Sequence, residues 1–252
     1  MTLDGATALV TGSSRGIGRA IAMLLAGHGA RVAVHYNSDA RAAEHTHASL
    51  QGDGHTLVQA DLGRVGEAGR LLERSIEALG GLSVVVNNAG IYLLHPVEAT
   101  PAHRWVEAWD RTLAVNLLGA AHLSYWAARH MVERGGGRII NISSRGAFRG
   151  EPDAPAYGAS KAGINAMSQS LAKALAGKGV LVFAIAPGWV ETDMALPHMQ
   201  GKEGDAVRRQ SPLGRVATPE EIAEVVLFLA SAAPAAMTGA IVDVNGASYL
   251  RT

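Results

Sequence analysis

The chain has 252 residues, of which 48% are hydrophobic and 17% are charged, so it is long enough to bury a substantial core. Basic and acidic side chains balance at 22 each, which gives no sign of a nucleic-acid partner or a membrane surface bound by bulk charge. The absence of cysteine excludes a disulfide framework and a thiolate metal site.

Short apolar runs rich in β-branched residues alternate with longer amphipathic stretches. In chain order, the pattern predicts strands at 6–11, 31–36, 55–60, 82–88, 137–143, 180–186 and 239–244, and helices between them at 16–28, 39–51, 65–79, 102–134, 157–176 and 219–231. This alternation predicts an α/β fold with a seven-stranded parallel sheet and helices on both faces. Right-handed crossovers make the doubly wound, Rossmann-type arrangement the expected topology.

No linker, composition break or short repeat divides the sequence, so we expect residues 1–252 to form a single domain. One polar, charged and glycine-containing stretch, residues 197–215, departs from the alternation. Because it follows a predicted strand at the carboxyl edge of the sheet, it is either a solvated loop with a short helix or a substrate lid. We predict a lid over about residues 193–215.

The amino terminus lacks the basic region and apolar stretch of a signal peptide, and no run of about 20 apolar residues indicates a membrane span. Together with the absence of cysteine, these features lead us to expect a cytoplasmic protein. His45, His47 and His55 cluster in the sequence, but no carboxylates with metal-ligand spacing accompany them. We therefore expect no metal site.

A glycine-rich turn, "TGSSRGIG" at residues 11–18, joins the first predicted strand to the first helix. Gly12 is expected to allow the tight turn, Gly16 the approach of backbone to a pyrophosphate, and Gly18 the close packing of the helix. The amino end of the helix offers free N–H groups and a positive dipole to an anion. This turn predicts a dinucleotide-binding site.

Four further motifs lie at predicted strand ends or just beyond them: "NNAG" at 87–90, "NISS" at 141–144, "YGASK" at 157–161 and "PGWVET" at 187–192. All of these positions converge on the same crevice of a doubly wound sheet. With the glycine-rich turn, the order of these motifs resembles the short-chain dehydrogenase/reductase family over essentially the whole chain. The stretches "PGWVETDM" and "TGAIVDVNGASYL" resemble those of bacterial 3-oxoacyl-acyl-carrier-protein reductases.

The resemblance implies four catalytic residues. Tyr157 matches the general acid, Lys161 lies four positions further on, and Ser144 lies thirteen positions before the tyrosine. Asn116 in "VNLLG" matches the active-site asparagine, which is expected to hold a water that connects Lys161 to solvent. Because a nearby ammonium favours the phenolate, we expect Lys161 to lower the pKa of Tyr157 from its usual value of about 10. Ser144 is expected to bind the substrate oxygen.

The resemblance also implies a cofactor site that includes the lysine and tyrosine of the catalytic set. The expected cofactor-binding residues are Gly12, Ser14, Arg15, Gly16, Ile17, Gly18, Asn37, Asp61, Leu62, Asn88, Ala89, Gly90, Tyr157, Lys161, Pro187, Gly188, Val190 and Thr192.

NADP(H) is favoured over NAD(H), which remains possible. NAD-selective folds place an acid at the end of the second strand, whereas residues 35–38 read His-Tyr-Asn-Ser and Asp39 is expected in the first turn of the next helix. Arg15 can reach the same corner with a planar guanidinium suited to phosphate, and Asn37 adds a neutral donor.

The substrate is open among carbonyl compounds and secondary alcohols, including sugars, polyols, steroids, small ketones and quinones. Lys173 lies where some related reductases carry a contact to acyl carrier protein. A different class, a non-catalytic dinucleotide-binding sensor or scaffold, also stays open, although its members typically lose part of the Ser–Tyr–Lys set. The resemblance implies a homotetramer, and the apolar stretches at 123–132 and 222–231 are candidate interfaces.

Overall fold

The computed structural model describes residues 1–196 and 199–251. Its strands are β1 (Thr7–Val10), β2 (Arg31–Tyr36), β3 (Thr56–Gln59), β4 (Val84–Asn87), β5 (Gly137–Ile142), β6 (Val180–Pro187) and β7 (Ile241–Val244). All pair in parallel to form one sheet in the order β3-β2-β1-β4-β5-β6-β7. The predicted doubly wound α/β fold is confirmed. The strand order reverses between β1 and β4, which opens a crevice at their carboxyl ends.

The helices connect these strands on both faces of the sheet. They are α1 (Gly16–Gly27), α2 (Ala40–Ala48), α3 (Glu67–Leu79), α4 (Ala102–Leu113), α5 (Ala120–Glu133), α6 (Gly146–Arg149), α7 (Pro155–Leu175), α8 (Gly201–Arg209) and α9 (Pro219–Ser231). Asp39 lies just before α2 as its N-cap and accepts a hydrogen bond from Ala42 N at 3.0 Å, so it precedes the first turn in which it was expected. The four-residue helix α6 was not predicted, because so short a segment has no measurable period.

The stretch predicted as one helix over 102–134 contains a π-helical turn, Ala114–Gly119, between α4 and α5. The widened turn lies where Asn116 enters the interior and Gly119 approaches Leu62. A Cβ at Gly119 would lie 2.8 Å from the Leu62 carbonyl oxygen, so a side chain at this position would clash with the backbone of Leu62. Such turns are frequent at functional sites, and a hydrophobic pattern does not reveal them.

Two apolar layers separate the sheet from its helices. Along β1, Ala8 and Val10 belong to the layer beneath α1 and α9, while Leu9 belongs to the layer beneath α3 and α5. β4 and β5 alternate in the same way. Because both faces of the sheet are covered, the central strands are continuous apolar runs, as a parallel sheet requires. No helix within the described residues is long and apolar enough to cross a membrane.

Candidate active site

A cavity of about 490 Å³ occupies the crevice at the carboxyl edge of the sheet. It is lined by every predicted catalytic and cofactor-binding residue except Asn116: Gly12, Ser14, Arg15, Gly16, Ile17, Gly18, Asn37, Asp61, Leu62, Asn88, Ala89, Gly90, Ser144, Tyr157, Lys161, Pro187, Gly188, Val190 and Thr192. The sequence motifs are therefore brought together around one space. Of the predicted lid, Pro197 and His198 lie outside the described residues, and Asp193, Met194 and Ala195 line the cavity.

The glycine-rich turn has little room for side chains. Gly12 and Gly16 have φ angles of +63° and +53°, a region that favours glycine. A Cβ at Gly18 would overlap the Gly12 carbonyl oxygen and the Asn88 amide, so α1 begins in direct contact with the turn. Across the cleft, a Cβ at Gly16 would lie 3.3 Å from Thr192 Cγ2. The turn thus exposes backbone to the cavity at the start of α1.

Hydrogen bonds from the end of β4 hold this turn in place. Asn88 Nδ2 donates to the carbonyl oxygens of Thr11 and Gly12, at 2.8 and 3.1 Å. The Thr11 hydroxyl accepts from the backbone N–H groups of Asn88 and Ala89, at 2.9 and 3.0 Å. The Asn88 side chain therefore supports the turn from behind.

His35 holds the same turn from the other side, a role that the sequence did not indicate. Its Nδ1 accepts a hydrogen bond from Gly12 N at 2.9 Å, and its Nε2 lies 3.1 Å from the Ala60 carbonyl oxygen. Because Gly12 N–H can only donate and the Ala60 oxygen can only accept, the ring is neutral with its proton on Nε2. Burial lowers the pKa of His35 to about 4, which keeps that form at neutral pH.

The end of the cavity next to β2 and β3 carries one basic and two acidic side chains. Arg15 is exposed at the start of α1, and Asn37 and Ser38 are exposed after β2. Asp39 lines the cavity, although one of its oxygens accepts the Ala42 N–H as the N-cap of α2. Asp61 forms an ion pair with Arg64 at 3.3 Å.

Ser144, Tyr157 and Lys161 meet on one side of the cavity. Tyr157 and Lys161 lie one turn apart on α7, and Lys161 Nζ is 5.6 Å from the centroid of the tyrosine ring. Lys161 Nζ also donates to the Ile142 carbonyl oxygen at 2.7 Å. A hydrogen bond joins the hydroxyl groups of Ser144 and Tyr157.

The expected lowering of the tyrosine pKa is wrong for this structure. Burial raises the pKa of Tyr157 to about 12 and outweighs the opposing hydrogen bond with Ser144. Burial also lowers the pKa of Lys161 to about 8. One cause, the loss of water around both groups, therefore keeps the phenol protonated and makes the lysine easier to deprotonate.

Asn116 lies behind the cavity wall. Its Oδ1 accepts from Ile91 N at 2.8 Å, while its Nδ2 donates to the Ile91 carbonyl oxygen at 2.9 Å and to Ser160 Oγ at 3.3 Å. A Cβ at Gly90 would lie 3.4 Å from Asn116 Oδ1 and 3.7 Å from Lys161 Nζ. The side chain fixes the segment after β4 close to the lysine.

The sequence analysis missed several side chains that line the cavity around Tyr157, the part of the cavity called the substrate half below. Tyr92 packs edge-to-face on Tyr157, with the ring centroids 4.9 Å apart, and burial raises its pKa to about 12. Glu151, Trp189 and Met194 also line this half. Tyr92 follows the "NNAG" motif by two positions and Glu151 lies between Ser144 and Tyr157, so proximity to motifs was the available signal.

Titration of His35 should contribute to acid sensitivity. Its folded-state pKa lies below the unfolded value, so the unfolded chain binds more protons between about pH 6.5 and 4 and stability falls as the pH falls. Replacement by Gln removes the titration, and from pH 7 to 4 the variant should lose on the order of 3 kcal/mol less free energy of unfolding than the wild type. Urea titrations across this pH range measure the difference.

His45→Gln is the matched control, because His45 is exposed on α2. It should keep the wild-type pH dependence. If His35→Gln also retained that dependence, the neutral, turn-supporting state of His35 would be contradicted.

A family model described as Enoyl-(Acyl carrier protein) reductase matches residues 12–247. The D-threitol dehydrogenase of Mycolicibacterium smegmatis is 37% identical over 246 residues, which are 97% of this chain and 93% of the relative. The 3-oxoacyl-acyl-carrier-protein reductase FabG of Aquifex aeolicus is 37% identical over 249 residues, which are 98% of each chain.

Among solved structures, the angucycline C-6 ketoreductase LanV with bound NADP matches with a TM-score of 0.88 and 38% identity. The match covers 98% of this chain and 96% of that one. These similarities extend over the whole sheet and all the motifs around the cavity. The chain is therefore an oxidoreductase of the short-chain dehydrogenase/reductase family.

Proposed function

We propose that this protein is an NADP(H)-dependent reductase of carbonyl compounds that also oxidises the corresponding secondary alcohols. The observation that carries the proposal is the meeting of Ser144, Tyr157 and Lys161 in the cavity that the glycine-rich turn also lines. A proton donor, a hydrogen-bonding hydroxyl and a buried amine are thereby placed beside a dinucleotide cradle. This combination suits hydride transfer with coupled proton transfer better than binding alone.

The cavity fits a dinucleotide. A Cβ at Gly18 would overlap the turn, and the positive φ angles at Gly12 and Gly16 leave backbone facing the space where a pyrophosphate is to bind. Gly12, Gly16 and Ile17 would hold the phosphates, Asp61 and Leu62 the adenine, and Pro187, Gly188, Val190 and Thr192 the nicotinamide end. Asn88 would hold the turn itself, and Ala89 and Gly90 would form the floor. When bound, NADPH supplies the hydride.

The protein's own groups handle the oxygen and its proton. Ser144 orients the substrate carbonyl, and Tyr157 donates a proton to its oxygen as charge develops there. With a pKa of about 12, Tyr157 holds that proton at neutral pH. Lys161, with a pKa of about 8, lies beside it as the group that exchanges protons and binds the cofactor ribose. Asn116 positions the segment beside Lys161, where the relay water of the family is expected.

The similar proteins act on different substrates, so membership of the family leaves the substrate class open. The FabG relative favours a 3-oxoacyl-acyl-carrier-protein substrate, and Lys173 is exposed on α7 where a carrier protein could reach it. The D-threitol dehydrogenase relative favours a polyol instead. Residues 193–215 are proposed as the lid over this half, because Asp193 and Met194 already form its wall.

Tyr157→Phe should abolish turnover while cofactor binding is retained. Only the hydroxyl that donates the proton is removed, so NADPH should bind with an unchanged Kd while kcat falls by at least about 10²-fold. Stopped-flow absorbance and cofactor fluorescence measure the two quantities. A kcat like that of the wild type would refute the assignment, and failure of both proteins on every ketone would favour the sensor or scaffold alternative.

NADPH should be preferred to NADH, because no acid occupies positions 35–38 and Arg15 is exposed at the same corner. A charge-assisted contact with the ribose phosphate contributes about 1.5–3 kcal/mol, so Arg15→Ala should lower the NADPH-to-NADH ratio of kcat/KM by about tenfold or more. Arg104→Ala is the control, since Arg104 is exposed on α4 outside the cavity. A preference for NADH, or an NADPH-to-NADH ratio that is unchanged in Arg15→Ala, would contradict this part of the proposal.

A homotetramer is proposed from the family resemblance and from exposed apolar side chains on α5. Tyr125 and Trp126 are 51% and 44% exposed, whereas the apolar residues of α9 pack mainly within the subunit. Light scattering at micromolar concentration should give the mass of a tetramer. Tyr125→Glu should lower the measured mass, because it places a charge in an apolar contact between subunits. A wild-type monomer would exclude this assembly.

A further inference from the structure

A carboxylate lies in the chain between Ser144, on the loop after β5, and Tyr157, on α7. Glu151 lines the cavity six positions before Tyr157. A Cβ at Gly146, two residues after Ser144, would overlap the Glu151 carboxylate. A Cβ at Gly158, directly after Tyr157, would lie 3.8 Å from Glu151 Cβ. The absence of a side chain at Gly146 therefore leaves the space that the Glu151 carboxylate occupies.

The Glu151 side chain is only 13% exposed, and its two oxygens differ in their surroundings. Oε2 faces Arg149 Nη2 at 3.4 Å, whereas Oε1 accepts no hydrogen bond from any group in residues 1–196 and 199–251. Glu151 lines the cavity, and this oxygen has no donor among the described residues, so it can accept a hydrogen bond from a molecule bound there in place of water.

The surrounding charges favour a neutral donor over a cationic one. Arg149 forms an ion pair with the Glu151 carboxylate. The buried guanidinium of Arg145 is close enough to interact with the same carboxylate electrostatically. Arg145 itself is held by Gln210 Oε1 and Ser248 Oγ, each at 2.6 Å. With two guanidinium groups already near the carboxylate, a hydroxyl group can donate a hydrogen bond to it without adding charge.

Glu151 also lies within electrostatic reach of the reacting position. Its charge raises the pKa values of both Tyr157 and Tyr92, whose rings are in contact. Glu151, Tyr92 and Tyr157 line the same cavity, so a substrate whose carbonyl oxygen meets Tyr157 can present a neighbouring hydroxyl group to Glu151.

We propose that Glu151 is a specificity residue that accepts a hydrogen bond from a substrate hydroxyl close to the reacting carbon. The preferred substrates are accordingly neutral hydroxy ketones and, in the reverse direction, vicinal diols. The inference rests on the proposed reductase function. In reduction the carbonyl carbon gains the hydride and its oxygen gains the Tyr157 proton, while the hydroxyl bound by Glu151 is chemically unchanged.

The test compares 3-hydroxy-2-butanone with 2-butanone, which lacks only the hydroxyl group. The wild type should show a higher kcat/KM for the hydroxy ketone, and Glu151→Ala should lower the ratio of the two kcat/KM values at least about tenfold, because any general effect on turnover cancels in that ratio. Glu151→Gln, which keeps an acceptor oxygen, should retain part of the preference. Asp153→Asn is the matched control, because Asp153 is exposed beside Glu151 but outside the cavity.

A binding measurement separates this inference from the proposed function. Calorimetry with the NADPH-loaded protein, which cannot oxidise an alcohol, should show that 2,3-butanediol binds more tightly than 2-butanol, and that the difference disappears in Glu151→Ala. Equal affinities in the wild type, or a difference that survives the substitution, would overturn the role of Glu151 whether or not turnover is found. Loss of turnover on both ketones with Glu151-dependent diol binding would instead overturn the reductase proposal alone.

Discussion

The site depends on one close approach between backbone segments. The first turn of α1 lies directly against the carbonyl of Gly12, with Asn88 beneath both, and this is possible only because position 18 has no side chain. Asn88 and Thr11 bond the turn to β4, and His35 bonds it to β2 and β3. The glycine-rich turn is thereby hydrogen-bonded to the ends of neighbouring strands, which fix its position on the sheet.

Burial controls the chemistry on the other side of the cavity. The two ionisable groups on α7 shift in opposite directions for the same reason, since each avoids its charged form away from water. Lys161 Nζ faces the ring of Tyr157 and donates a hydrogen bond to the Ile142 carbonyl oxygen. Desolvation, rather than the nearby amine, determines the direction of the tyrosine pKa shift in this structure.

The sequence was informative where backbone geometry determines the residue. Apolar alternation predicted each strand, and the glycines of the turn follow from φ angles and close contacts that other residues do not allow. The motifs also contain core residues: Asn87 Nδ2 donates to Ser124 and Asn141 in a buried network beneath the site. Nothing in "NNAG" distinguishes that asparagine from Asn88, which supports the turn.

The substrate half was not predictable in the same way. The π-helical turn at Asn116 and the contacts of Glu151 and Tyr92 depend on how loops from separate strands meet, and no local period encodes such contacts. The cofactor half is built largely from backbone, which constrains sequence strongly and makes the family recognisable. The substrate half is built from side chains on loops, which any member can change without disturbing the sheet. Membership of the family therefore identifies the reaction type, while the carboxylate at position 151 bears on which carbonyl compound is reduced.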